Sequence, residues 1–318
     1  MVARGLFFMT KAIFFFISSL LLLVPLFSFT GDISTSDQLL LTAPFILLFG
    51  IPHGAIDNVL YLRSRNIKNG HFIAIYLVFV AANVAIWLIF PIVAYTIFLL
   101  LSAYHFGQSQ FTHYFEQQPL SLKSLYLFWG VTILSGLLYF NISEVHIVML
   151  QYEEFASFSP LHKEPYMLYL FVLSTAITAS LIAYLTAKKY LSTENMLMEF
   201  LVISLILICF YLLPFLIGFS IYFIILHSFK VLKEEYHFLV AEKQIGSIFK
   251  FVQLISPFTL FSVGGILVLF GLIYLEFIPF SYGYCLLIAI SSITLPHVFV
   301  MNDFYMLPFN KRKAPEQV

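Results

Sequence analysis

Residues 38–60 read QLLLTAPFILLFGIPHGAIDNVL. The stretch is long enough to cross a bilayer, whose hydrocarbon core of about 30 Å takes about 20 mainly apolar residues as a helix. It nevertheless carries His53, with hydrocarbon side chains on both sides along the chain. An ionisable imidazole in such a place is costly, so it marks a functional position by default. The Pro52-His53 pair recurs as Pro296-His297 in a second apolar stretch, and His105 and His227 lie in two more.

The whole chain reads the same way. Of its 318 residues, 61% are hydrophobic and only 10% charged, against roughly 25% charged in soluble domains. This is the composition of an integral membrane protein. The formal net charge is zero and no basic block is dense, which excludes a nucleic-acid partner. The 38 Phe and 19 Tyr exceed what interfacial belts need and suit a pocket for a long, flat, apolar ligand. Cys209 and Cys285 both fall in apolar runs, so neither a structural disulfide nor a cysteine-rich zinc or iron–sulfur site is expected.

Scanning for membrane-length runs gives ten spans, at 11–29, 38–60, 71–90, 92–112, 122–141, 166–187, 197–213, 214–231, 251–275 and 281–301. The first could pass for a signal peptide, but the Ala12–Ser28 run is long and no small-residue cleavage pattern follows it. Two boundaries rest on a proline alone, Pro91 and Pro214. Charge checks the count independently. With the N-terminus inside, the inner segments take every basic residue except Lys163, as the positive-inside rule requires. Deleting either weak boundary would invert every later loop and spoil that segregation. The expected fold class is an all-α polytopic membrane helix bundle with both termini cytoplasmic, residues 1–318 forming a single integral membrane domain. The Glu144–Glu164 loop is long enough for a short interfacial helix.

The spans carrying His53, His105, His227 and His297 all run outside to inside. The four lie roughly thirteen to sixteen residues from their outer ends, a spread of about 5 Å in depth at 1.5 Å rise per residue. Imidazole is the commonest protein ligand for zinc, iron, copper and nickel. Four at one depth would close a tetrahedral zinc site, or hold six-coordinate iron with two adjacent positions open for dioxygen and substrate. Interhelical hydrogen bonding is the competing structural reading for any one of them. Asp57, one turn after His53, is placed to orient a ligand histidine or to stand as an interfacial charge. Tyr104 and Gln108 flank His105 and are further candidates for the surroundings of a metal. His71, His113, His146, His162 and His237, at span ends or in loops, read as surface residues, and Lys230 as snorkelling to the inner interface.

Gly50-Ile51-Pro52-His53-Gly54-Ala55-Ile56-Asp57 resembles the GxPHGAxD signature of the Brp/Blh family of membrane-bound carotene dioxygenases. Ser102-Ala103-Tyr104-His105-Phe106-Gly107 resembles its SxxHFG motif, and Leu226-His227-Ser228 and Leu295-Pro296-His297 resemble its third and fourth histidine-bearing segments. The resemblance implies an Fe(2+) enzyme of the bacterial inner membrane. Such an enzyme splits β-carotene with O2 at its central double bond, and the two retinal molecules supply a microbial rhodopsin. It implies His53, His105 and His227 as iron ligands. The family's further histidine, one turn after the third, is Val231 here, and His297 is taken as the fourth ligand. The alternatives are cleavage of another carotenoid, or a non-catalytic carotenoid- or haem-binding membrane protein. A two-metal desaturase would need HxxxH and HxxHH boxes, which are missing from the sequence. A transporter would show more intramembrane carboxylates than Asp57.

Overall fold

The structure is a computed structural model that describes residues 2–30, 33–64, 68–115 and 119–307. Basic residues of the inner segments at Arg65, Lys311, Arg312 and Lys313 lie outside them. Among the described residues there is no strand, and ten helices are long and apolar enough to cross a membrane. They are α1 (Lys11–Phe29), α2 (Thr35–Leu62), α3 (Asn69–Ile89), α4 (Pro91–Tyr114), α5 (Leu120–Phe140), α6 (Glu164–Ala187), α7 (Thr193–Leu212), α8 (Phe215–Ala241), α9 (Ile248–Tyr274) and α10 (Tyr282–Met306).

Both proline boundaries are real breaks. Phe90 leaves helical geometry at φ −134° and ψ 65°, and Pro91 opens α4, where its missing N–H is no loss. Leu213 and Pro214 are likewise non-helical before α8. The freed N–H groups of Phe215 and Leu216 are taken up by Glu144 Oε1 at 3.3 Å and Gln38 Oε1 at 2.9 Å, a helix start capped by remote side chains. Glu144 itself sits on a short helix, Ile142–Gln151, in the connection where one was expected.

Two helices are irregular where they carry histidine. In α2 a π turn at Ile46–Gly50 passes into a 3-10 turn at Ile51–Gly54, around the donor-less Pro52. In α8 a π segment spans Tyr222–Ser228. Such turns inside helices gather at functional positions because they re-aim side chains. By contrast α10 runs through Pro296 without interruption.

Helices α4 and α5 meet backbone to backbone. A Cβ on Gly107 would stand 1.9 Å from the Tyr126 carbonyl oxygen, and one on Gly130 1.8 Å from that of Ala103. Only glycine permits this crossing. Together with α10, these helices are the most enclosed, whereas α9 lies almost wholly on the outside. Asn83 and Trp87 pin α3 to α10 through Ser291 and Ser292, at 2.6 to 3.0 Å. In α8 the large apolar cluster, with Tyr222, precedes His227, and the smaller one, with Val231, Ile56 and Phe304, follows it.

Candidate metal centre

The structure brings together all four histidines singled out by the sequence. His53 comes from the 3-10 turn of α2, His105 from α4, His227 from the π segment of α8, and His297 from the turn after Pro296 in α10. All are buried. Ring centroids are 4.9 Å apart for His53 and His297, 5.3 Å for His53 and His227, 4.9 Å for His105 and His227, and 5.0 Å for His105 and His297. His53 and His105 face each other across the group, nearly parallel at 6.4 Å. One ligand nitrogen from each of His53, His105 and His297 lies within 4.8 Å of the others.

The hydrogen bonds assign the ring nitrogens. His297 Nδ1–H donates to Asp57 Oδ1 at 2.8 Å, and His53 Nδ1–H donates to the Gly50 carbonyl. His227 Nδ1 meets Ser109 Oγ at 3.1 Å. The Ser109 hydroxyl donates to the Phe106 carbonyl at 2.9 Å, so its lone pairs accept from His227. A ring that gives away Nδ1–H presents its Nε2 lone pair elsewhere. Nε2 of His227, Nε2 of His297 and both nitrogens of His105 are buried without a partner among the described residues.

A buried polar atom left unmet costs about 1–3 kcal/mol, and here several gather in one place. A single metal ion would take one nitrogen from each ring. The residues fit one: an all-imidazole donor set suits iron, zinc, copper or nickel, and Asp57 behind His297 forms the carboxylate–histidine pair that fixes ring orientation in metal sites. Tyr76 donates to the second oxygen of Asp57 at 3.3 Å, steadying that carboxylate from α3. Gly54 packs against the His297 ring, where a Cβ would meet Nδ1 at 3.4 Å, an ordinary contact. Phe223 stacks on His227 at 5.4 Å and meets His53 edge-on at 5.7 Å, while Phe106 meets His227 edge-on at 4.8 Å. The group therefore has an aromatic wall.

The other expected neighbours are placed less uniformly. Gln108 joins α4 to α10 by donating to Asn302 Oδ1 at 3.1 Å. Tyr104 is half-buried and packs edge-on against Tyr126, 5.8 Å away. Val231, where the resemblance expects a histidine, is fully buried in an apolar cluster with Ala55, Ile56 and Phe304. His297 approaches the other histidines from another helix.

Two surface readings are corrected. Lys230 turns inward, its Nζ donating to the Gln110 carbonyl at 2.8 Å, and Gln110 and Tyr114 both donate to the buried Glu199. This network gives the ammonium acceptors that snorkelling would otherwise seek in water. His162 is also buried, between Tyr95 and the Phe158 carbonyl.

Ser109, Tyr76 and Phe223 escaped the sequence reading. Ser109 stands four residues after His105, in register for the same helix face, which was its one available signal. Glu235, two turns beyond His227, is buried with neither carboxylate oxygen partnered among the described residues.

A family model described as Beta-carotene 15,15'-dioxygenase matches residues 45–305, a range that holds all four histidines. A relative named Beta-carotene 15,15'-dioxygenase, from an uncultured marine bacterium (66A03), is 27% identical over 283 residues. The alignment covers 84% of this chain and 94% of the relative. No solved structure matches.

Proposed function

The chain belongs to the Beta-carotene 15,15'-dioxygenase family, and we propose that it splits β-carotene at its central double bond into two retinal molecules, using dioxygen at an iron(II) centre. His53, His105, His227 and His297 would hold the iron, with Asp57 and Ser109 orienting two of the rings. The observation that carries this reading is the convergence of buried, unpartnered imidazole nitrogens in a chain of that family. When bound, the iron supplies one-electron chemistry with dioxygen that no side chain offers.

The protein's own part is positional. Asp57 retains the Nδ1–H contact of His297, Ser109 that of His227 and the Gly50 carbonyl that of His53, so each Nε2 is pre-aimed. Phe106 and Phe223 present hydrocarbon rather than water to the group. Carotene is almost wholly apolar and reaches an intramembrane site without stripping water from polar groups; holding one double bond in place is then the main requirement. A haem reading fits worse. His227 and His297 each lie 4.9 to 5.3 Å from both His53 and His105, in the space that a macrocycle between that facing pair would need.

The charge segregation supports both termini on the cytoplasmic side of a bacterial inner membrane, where lipid would deliver carotene and a rhodopsin would take up retinal. Expression in a β-carotene-producing bacterium tests the activity. Loss of colour with retinal appearing on chromatography is the expected result. Retained colour and no apocarotenal, with folded and iron-loaded protein, would overturn it.

A further inference from the structure

A cavity of about 180 Å³ lies between α3 and α10, beside the Asp57–His297 pair. Phe72, Ile75, Tyr76 and Phe79 line it from α3 and Pro296, Phe299 and Val300 from α10, a mainly hydrocarbon wall to which Tyr61 of α2 and Asn302 and Asp303 of α10 add polar groups. Two of these residues touch the candidate centre. Pro296 is the backbone neighbour of His297, and Tyr76 is hydrogen-bonded to Asp57. The outer lip is hydrocarbon, because Ile75 and Phe299 are 43% and 49% exposed on a face that a membrane would cover.

Size and chemistry narrow the occupant. A cavity of about 150 Å³ suffices for a benzene ring, so this one, with its mainly hydrocarbon wall, takes a single substituted six-membered ring and not a whole polyene. Its aromatic side chains form two contacting pairs. Phe79 and Phe299 lie 5.4 Å apart and inclined at 32°, and Phe72 and Tyr76 lie 5.5 Å apart and inclined at 52°. Such walls favour a flat or half-flat hydrocarbon ring over a flexible acyl chain, since ring faces and edges both find partners and little rotamer freedom is lost.

We infer that this cavity is a binding site for the cyclic end group of a carotenoid or of its cleavage product, entered from the lipid side, with Tyr76 between the ring and Asp57. The ligand class rests on the carotenoid-cleavage reading above. The cavity therefore selects for a ring-bearing terpenoid.

The test uses full-length, iron-loaded protein in lipid nanodiscs, without oxygen so that nothing turns over. Binding of β-ionone, the ring with a short tail, is measured directly and by competition with β-carotene. Ile75→Trp fills the mouth from a lipid-facing position that folding tolerates; Ile73→Trp, also lipid-facing at 46% exposure but not part of the lining, is the control. Ile75→Trp is expected to weaken both ligands by at least about fivefold, the scale of overpacking a well-fitted cavity. Iron content and the Ile73→Trp protein should match wild type. Equal binding in the two variants would overturn the inference. So would displacement of β-ionone by dodecane at equal concentration, which would mark a lipid groove. If wild type fails to cleave β-carotene in air while still binding β-ionone, the cleavage reading fails and the ring site stands.

Discussion

Two sites of buried histidine in this molecule contrast. In the connection before α6, His162 donates Nδ1–H to the Phe158 carbonyl at 3.0 Å and accepts from the Tyr95 hydroxyl at 2.9 Å. Both of its ring nitrogens are used. Between α2, α4, α8 and α10, three histidines spend Nδ1 on a carbonyl, a carboxylate and a hydroxyl, and Nε2 atoms are left over. Both sites are buried and aromatic-walled, so burial alone does not separate them. The hydrogen-bond account does: a closed account is structure, and an open one that converges on a point is a place for a ligand.

Substitutions can break or sharpen that contrast. The largest effect should come from His105→Ala, which removes the one ring of the four with both nitrogens unmet among the described residues. Iron retained on purification and retinal formed in cells should both fall to background. Asp57→Asn keeps the shape but weakens the hold on His297. Chelator competition should show iron bound about 10–100-fold more weakly. Ser109→Ala touches a neutral hydrogen bond only, so its effect belongs at the low end, about tenfold in the same assay.

His162→Ala should act on the other ledger entirely. It leaves the Tyr95 hydroxyl and the Phe158 carbonyl unmet, so thermal unfolding should register a loss of about 1–3 kcal/mol with iron content unchanged. Loss of iron in this variant would erase the distinction between the two sites. A pH series sharpens it. Burial holds the His162 pKa below its ordinary 6.5, against the Phe158 hydrogen bond and with help from His146. The unfolded chain then takes up a proton that the folded chain refuses. The stability contributed is present above pH 6.5 and is lost as pH falls through that value towards the folded pKa. Wild type should melt progressively lower below that point, and His162→Ala should lose that part of the slope.

Much of this was legible in the chain. Hydrocarbon thickness imposes a length on every span, so α1 to α10 fall where apolar runs predict, even at Pro91 and Pro214. The shared depth of the four histidines was legible because polarity in hydrocarbon is conspicuous. Span ends were less so. Helix α8 continues to Ala241 because Val231 and Glu235 follow His227 on one inward face, while the charges among them read as a loop. His162 was misplaced because nearness to a span end stood in for exposure, and burial of a loop is decided by other helices. Ser109 and Tyr76 find their partners across helix boundaries, and the π turns of α2 and α8 arise from packing. No single-helix pattern announces such features.

The central claim is that His297, from α10, completes the iron site where Val231 offers only hydrocarbon. Metal analysis of purified His297→Ala beside wild type tests it most directly. The account predicts about one iron per wild-type chain and almost none in the variant, with both proteins folded. A His297→Ala protein that keeps its full iron would contradict it.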